Sequence, residues 1–370
     1  MAVSRINEAG LNVNQYGNRN LTINGAMQVS QRGTVTGITG SGYGGPDRCA
    51  IVCQNSGTYT LSQAADAPSG SGFDKSLDIA CTSSDTYGTA ADVTHLRLSS
   101  LEAQDCMKFE HGTSSAKKLT VQFWVKCSYA DTFGLAFVNH DSQKSNVQKF
   151  TIDSADTWQY VTLTYNGDTA AGFNNDATLG LSLDLFLGGG SDYTGGSATL
   201  NNWDTRSNNQ STYVSSTSTK FGTSTSHTFN LTGLQLEVGD TATDFEHRTY
   251  GDELARCQRY YYQHSDTGNA TRLLPGSAIS YSATFIMLSV QFPVHMRGTP
   301  SLVETTGTNY LRYFHTNAST NFNGFGAVQE ASVVGANVYN SSSISGLTAG
   351  NVGWVRMVDA LYQLGFDAEL

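Results

Sequence analysis

Five leucines stand at every second position from Leu179 to Leu187, alternating with Gly180, Ser182, Asp184 and Phe186. An extended chain gathers such residues on one side, because successive side chains of a strand point to opposite faces. A helix would place consecutive members nearly opposite one another. The same period of two recurs in Leu77, Ile79 and Cys81, in Leu96 and Leu98, and in Leu119, Val121, Phe123, Val125 and Cys127. It returns in Val161, Leu163 and Tyr165. Each run is expected to bury one face and wet the other. Phe229 and Leu231 fall on odd numbers, whereas Leu234, Leu236 and Val238 fall on even ones. A slip of one residue flips a strand's faces, so a β-bulge is expected near Thr232-Gly233. Charged residues make up only 14%, with 38 glycines and 5 prolines, a balance that suits short strands and tight turns. The fold class expected is all-β: a jelly-roll or β-sandwich domain plus a second, smaller sandwich-like C-terminal domain, joined by a short helix.

At 370 residues the chain has room for two or three cores. Residues 1–39 read as an N-terminal segment, 40–250 as the jelly roll, 251–262 as the connecting helix and 263–370 as the C-terminal β domain. Asn24-Gly25, between NLTI and AMQV, is a two-residue hairpin signal. ITGSGYGGPD (Ile38 to Asp47) reads as a linker or long loop. Glu102 to Glu110 is expected to make a short helical turn. In the helix, Leu254, Cys257 and Tyr261 share one face, with Asp252 and Arg256 in pairing distance. Phe285 to Pro293 carries apolar residues on both faces, as a strand buried on two sides or at a subunit contact would.

A formal charge of −10 and an isoelectric point near 5.2, without a basic stripe, exclude a nucleic-acid footprint. No apolar run approaches the roughly 18 residues of a membrane span, so insertion is not expected. The N-terminal residues lack the apolar core of a secretory signal, which points to folding in a cytoplasm. Six dispersed cysteines read as reduced, buried apolar residues. Gly40-x-Gly42-x-x-Gly45 has no following helix to hold a pyrophosphate. Neither GxSxG nor HExxH is present, and His111, His140 and His247 have no repeated partner spacing; no enzyme and no catalytic residue is expected. No cofactor is expected either. Asp153, Asp156 and Asn174-Asn175-Asp176 offer loop oxygens for a structural calcium ion, without EF-hand spacing. Trp124, Tyr193, Trp203, Tyr213 and Trp354 are the binding candidates: a flat ring among Asn, Ser and Gly stacks on a sugar face, or packs on a neighbouring loop or subunit.

Several segments resemble a known group. LQLEVGDTATDFEHRTYGDELARCQRYYY (Leu234 to Tyr262), with AKKLTVQFWVKCS, WQYVTLTY and LGLSLDLFLGGGS before it, is similar to tail-fibre and tail-associated proteins of bacteriophages and prophages. Their order from about Leu96 to Tyr262 resembles a carbohydrate-binding-module-like jelly roll. NLTINGAMQVSQRGT resembles the opening of phage tail proteins, and FPVHMRGTPSL and FDAEL their C-terminal modules. The resemblance implies a virion protein, most simply a tail fibre or receptor-binding appendage that attaches to host surface glycan. It implies a homotrimer, other tail or capsid proteins as partners, and virion anchoring by Leu21, Ile23, Asn24, Gly25, Met27 and Arg32. A capsid-mounted head fibre or decoration protein, and a glycan depolymerase, are the competing expectations. With few basic residues, recognition is expected to rest on stacking and neutral hydrogen bonds.

Overall fold

The computed structural model describes residues 18–265, 272–316, 318–340 and 342–370, the side chains of 208 and 327 excepted. It divides into two units, Met1–Tyr250 and Gly251–Leu370. Residues 1–17 of the expected anchoring segment lie outside the described residues.

The first unit is an antiparallel β-sandwich of the jelly-roll class. One sheet orders six strands as Val35–Ile38, Thr58–Ala64, Ser76–Ser83, Thr228–Val238, Leu119–Cys127 and Gln159–Tyr165. The other orders seven as Asp204–Thr205, Lys144–Ile152, Asp131–Asn139, Leu179–Gly189, Val93–Glu102, Ala50–Gln54 and Ser41–Tyr43. The inward side chains meet in one apolar cluster, with Leu77, Phe123 and Leu231 from the first sheet and Leu96, Leu135 and Leu183 from the second. Each such aliphatic or aromatic residue contributes about 1.5–3 kcal/mol on burial. The expected bulge is present. Pairing of Thr228–Val238 with Leu119–Cys127 jumps from Thr232↔Trp124 to Gln235↔Gln122, and Gly233 has φ +64°. A Cβ there would also lie 2.8 Å from the Phe73 ring. The helical turn forms as a 3-10 helix, Ala103–Phe109, burying Cys106 and Phe109. All six cysteines are buried, and no disulfide forms among the described residues. Burial pushes the Cys49 and Cys127 thiols up to about 12, so neither is a ready nucleophile.

Three local expectations are corrected. No hairpin forms around Asn24-Gly25: residues 20–29 contain no strand. Asn24 takes φ +61°, but its side chain binds the chain itself, accepting from Val29 N at 2.9 Å and donating to Val29 O at 2.8 Å and Asp47 O at 3.0 Å. Gly25 is required by space, since a Cβ would sit 2.0 Å from Leu234 O. The glycine-rich stretch is not a free loop. Its start belongs to Val35–Ile38 at the edge of one sheet and its middle to Ser41–Tyr43 at the edge of the other. Buried Ile38 anchors the passage between them. Finally, Leu179–Gly189 wets neither face beyond its first residue. Residues following it fold over the polar side, where Tyr213 and Val214 pack with Phe186, Ala136 and Val147 in a second small cluster.

The second unit has a seven-stranded antiparallel sheet, in the order Ala318–Phe322, Leu311–His315, Val352–Met357, Ser277–Ser280, Ile286–Gln291, Gly335–Asn340 and Phe325–Ala331. A three-stranded sheet of Tyr261–Gln263, Gln363–Asp367 and Ser301–Thr305 completes it. Leu311, Tyr313, Ile286, Leu288, Val338, Val355 and Met357 pack with Tyr362, Leu364 and Phe366 in a core of its own. The helix is shorter than expected, Tyr250–Gln258, because Tyr261 pairs with Asp367 in the small sheet instead of extending the helical face. Of the two-faced strand, Ile286, Leu288 and Val290 are buried, whereas Ser289 and Gln291 are exposed and Met287 is half-buried.

Candidate functional site

Alternation within two neighbouring strands builds an open aromatic surface. In Leu311–His315, Leu311 and Tyr313 turn into the core, so Arg312 and Phe314 face outward. In Val352–Met357, Val355 and Met357 turn inward, leaving Val352, Trp354 and Arg356 outside. The register sets Phe314 opposite Trp354 and Arg312 opposite Arg356. The two rings stack with centroids 4.1 Å apart and planes 10° from parallel, and the Arg356 guanidinium carbon lies 4.8 Å from the Phe314 centroid. The result is an Arg–Phe–Trp stack. Trp354 remains 42% exposed and Val352 66%. A hollow of about 570 Å³ opens beside them, lined by Phe314, His315, Thr316, Ser319, Val352 and Trp354. His315 stacks on Tyr313 at 5.1 Å, and both its ring nitrogens are buried without a hydrogen-bond partner. Gly353 permits the close strand approach, since a Cβ there would meet Phe314 O at 1.9 Å.

The structure separates the other aromatic candidates. Trp124 is half-buried on the outer face of the six-stranded sheet, its ring 5.2 Å from Tyr160, whose hydroxyl donates to Gln122 Oε1 at 2.6 Å. Tyr193 is half-buried beside Phe186. Tyr213 is buried, stacked on Phe186 at 4.2 Å and bonded to Ser145 Oγ at 2.9 Å, so it has no free face. Trp203 donates to Asn166 O at 2.6 Å and meets His111 edge-on. Among the anchoring candidates, Asn24, Gly25 and Met27 are buried within the first unit, and Leu21, Ile23 and Arg32 are half-buried. Arg32 lies over the Tyr43 ring at 5.0 Å. Of the calcium candidates, Asp176 accepts from Thr178, and Asn174 donates to Asp141. No group of three or more His, Cys, Asp or Glu side chains is placed to hold a metal among the described residues.

A buried polar network lies on the covered face of the seven-stranded sheet in the first unit. Arg97 Nε reaches Asp184 Oδ1 at 3.2 Å, Ser182 Oγ donates to Asp184 Oδ2 at 3.2 Å, and His140 Nε2 meets Ser182 Oγ at 2.9 Å. Burial alone would raise the Asp184 carboxyl, but Arg97 and His95 outweigh it and hold it below the usual carboxylate range. Burial pushes His95 and His140 down to about 4, so both are neutral near pH 7. His95 keeps no hydrogen bond on either nitrogen and stacks near Phe186.

Of the residues on this surface, sequence reasoning named Trp354 and did not name Phe314, Arg312 or Arg356. The signal was available as the spacing Arg-x-Phe in LRYF and Trp-x-Arg in WVR, which places each pair on one strand face.

No family model and no curated protein matches this chain. Among solved structures it is similar to the enzymatically active domain of a tailspike protein of bacteriophage CBA120, at 7% identity and a TM-score of 0.31. That match covers 60% of this chain and 21% of the tailspike chain, about a fifth of its length. It is also similar to a family 11 carbohydrate-binding module of a Clostridium thermocellum cellulase (12% identity, TM-score 0.26, covering 56% of this chain and 98% of that one). A xylan-binding domain from Paenibacillus barcinonensis matches at 11% identity and a TM-score of 0.23, covering 57% of this chain and 99% of the other. Similarities of this size decide neither ligand nor activity.

Proposed function

We propose that this chain is an attachment protein of a bacteriophage particle, which binds host-surface glycan through the Trp354 platform and performs no chemistry on it. The observation that carries the glycan assignment is the stacked Phe314–Trp354 pair, open to solvent beside a hollow of about 570 Å³. An exposed indole accepts the apolar face of a sugar, and the Thr316 and Ser319 hydroxyls at the rim are placed to meet sugar hydroxyls. The sequence resemblance to tail-associated proteins supports the virion role, whether on tail or capsid, and assembly as a homotrimer. Several copies on one particle turn weak single-site contacts into firm attachment through effective concentration.

The test is binding of the purified chain to a glycan array, followed by titration calorimetry on the best hit. Trp354→Ala is expected to weaken binding at least tenfold, about 1.4 kcal/mol, while the melting temperature stays unchanged. Tyr213→Phe, inside the first unit, is expected to leave affinity untouched. Wild-type affinity retained by Trp354→Ala removes the platform from the function. Release of reducing sugar from capsule by the pure chain removes the non-enzymatic part. Antibody labelling of particles and blocking of adsorption test the virion role separately.

A further inference from the structure

Arg312 and Arg356 stand directly opposite each other on adjacent strands, an arrangement in which like charges repel. In a chain with 31 acidic and 21 basic residues, carboxylates to pair with them are plentiful. Neither is paired. Arg312 Nε donates to the neutral Asn321 Oδ1 at 2.7 Å, and Arg356 lies on Phe314 with its Nε buried and unpartnered. Acidic groups of the same unit are engaged elsewhere: Glu330 accepts from Asn337, Asp359 from Leu361 N, and Glu304 from Tyr362. Two guanidinium groups without a carboxylate partner therefore flank the aromatic stack, each two positions along its strand from the stacked ring, with the Arg356 guanidinium carbon 4.8 Å from the Phe314 centroid.

We infer that the ligand is an anionic saccharide: a sugar ring rests on Trp354 while a carboxylate or phosphate it carries is held by Arg312 and Arg356. This rests on the glycan platform proposed above and departs from the expectation of purely neutral recognition. Guanidinium suits either anion, because its planar fork offers parallel N–H donors to two oxygens. The anion would also relieve the repulsion within the pair, so the ligand supplies the charge that the fold withholds. Net negative charge elsewhere keeps the chain from binding polyanions indiscriminately.

Four polysaccharide probes test it on the full chain by biolayer interferometry: polygalacturonate, its fully methyl-esterified form, phosphomannan, and the same mannan after phosphatase treatment. A single-stranded oligonucleotide serves as a polyanion control. At least one anionic polymer is expected to bind tenfold or more tightly than its neutralised partner, with affinity falling as salt rises; the pair that responds tells carboxylate from phosphate. The double variant Arg312→Gln/Arg356→Gln is expected to lose that preference, its affinity for the anionic polymer falling to that for the neutralised one. Arg312→Lys/Arg356→Lys, which keeps charge but not the fork, is expected to fall between. Equal wild-type affinity for charged and neutralised polymers overturns the anionic assignment and leaves the platform standing. Failure of all four polymers, with no effect of Trp354→Ala on any array glycan, overturns the platform itself. Tighter binding of the oligonucleotide than of any polysaccharide overturns the saccharide class.

Discussion

Glu304 shows how position decides the chemistry of a single residue. Its Oε1 accepts from Tyr362 Oη at 2.7 Å and from Phe325 N at 2.6 Å. Burial nonetheless outweighs these bonds and raises the carboxyl to about 7. A raised folded pKa stabilises below the unfolded value of 4.5, and that stabilisation is lost as pH climbs through 7. Glu304→Gln keeps an acceptor for both donors and removes the titration. We expect the variant to gain on the order of 2 kcal/mol over wild type at about pH 8 and little at about pH 5, read from thermal melts. His95 and His140 work in the opposite sense. Their depressed folded values mean stability is present above about 6.5 and declines as pH falls toward 4. His95→Phe, which matches the Phe186 contact without a charge to suppress, should flatten the acid limb of the first unit's stability profile. The same logic explains why Tyr213 and Trp354, alike in their loop-rich sequence surroundings, part company: one ring is covered by its own unit, the other is not.

At the scale of the element, period-two reading was dependable wherever one face of a strand was core. Leu119–Cys127, Gln159–Tyr165 and the slip at Thr232-Gly233 were all legible, because a one-residue change inverts burial. Gly233→Val, which disfavours the φ of +64° that the bulge requires, should straighten the strand and drive Leu234 and Leu236 onto the outer face. Loss of cooperative unfolding, or a fall in stability beyond about 3 kcal/mol, is the outcome expected in denaturant titration. An unchanged midpoint would show that the bulge is dispensable. Periodicity failed where the partner surface was distant in sequence. Nothing local to Leu179–Gly189 announced that Tyr213 and Val214 would cover Phe186. Asn20 and Asn24 likewise replace ladder bonds with side-chain amides, Asn20 Nδ2 donating to Leu234 O at 3.0 Å, so NLTINGAMQV needs no hairpin of its own.

For the whole molecule, the two large apolar clusters have no member in common, one drawn from residues before Tyr250 and the other from residues after it. Phe123, fully buried and edge-on to Phe150 at 5.3 Å, belongs to the first. Phe123→Ala should cost about 3–5 kcal/mol and lower the calorimetric transition of the first unit alone; a matching shift in the second would show that the cores unfold together. The amino-acid sequence by itself determined an all-β chain with two sandwich-like units and a short helix between them, because alternation, turn residues and scarce charge act over a few residues at a time. Only the tertiary structure decided which aromatic rings stay open and which arginines go unpaired. Those outcomes depend on strand register and on cover from remote segments, and register set Phe314 beside Trp354 and Arg312 opposite Arg356.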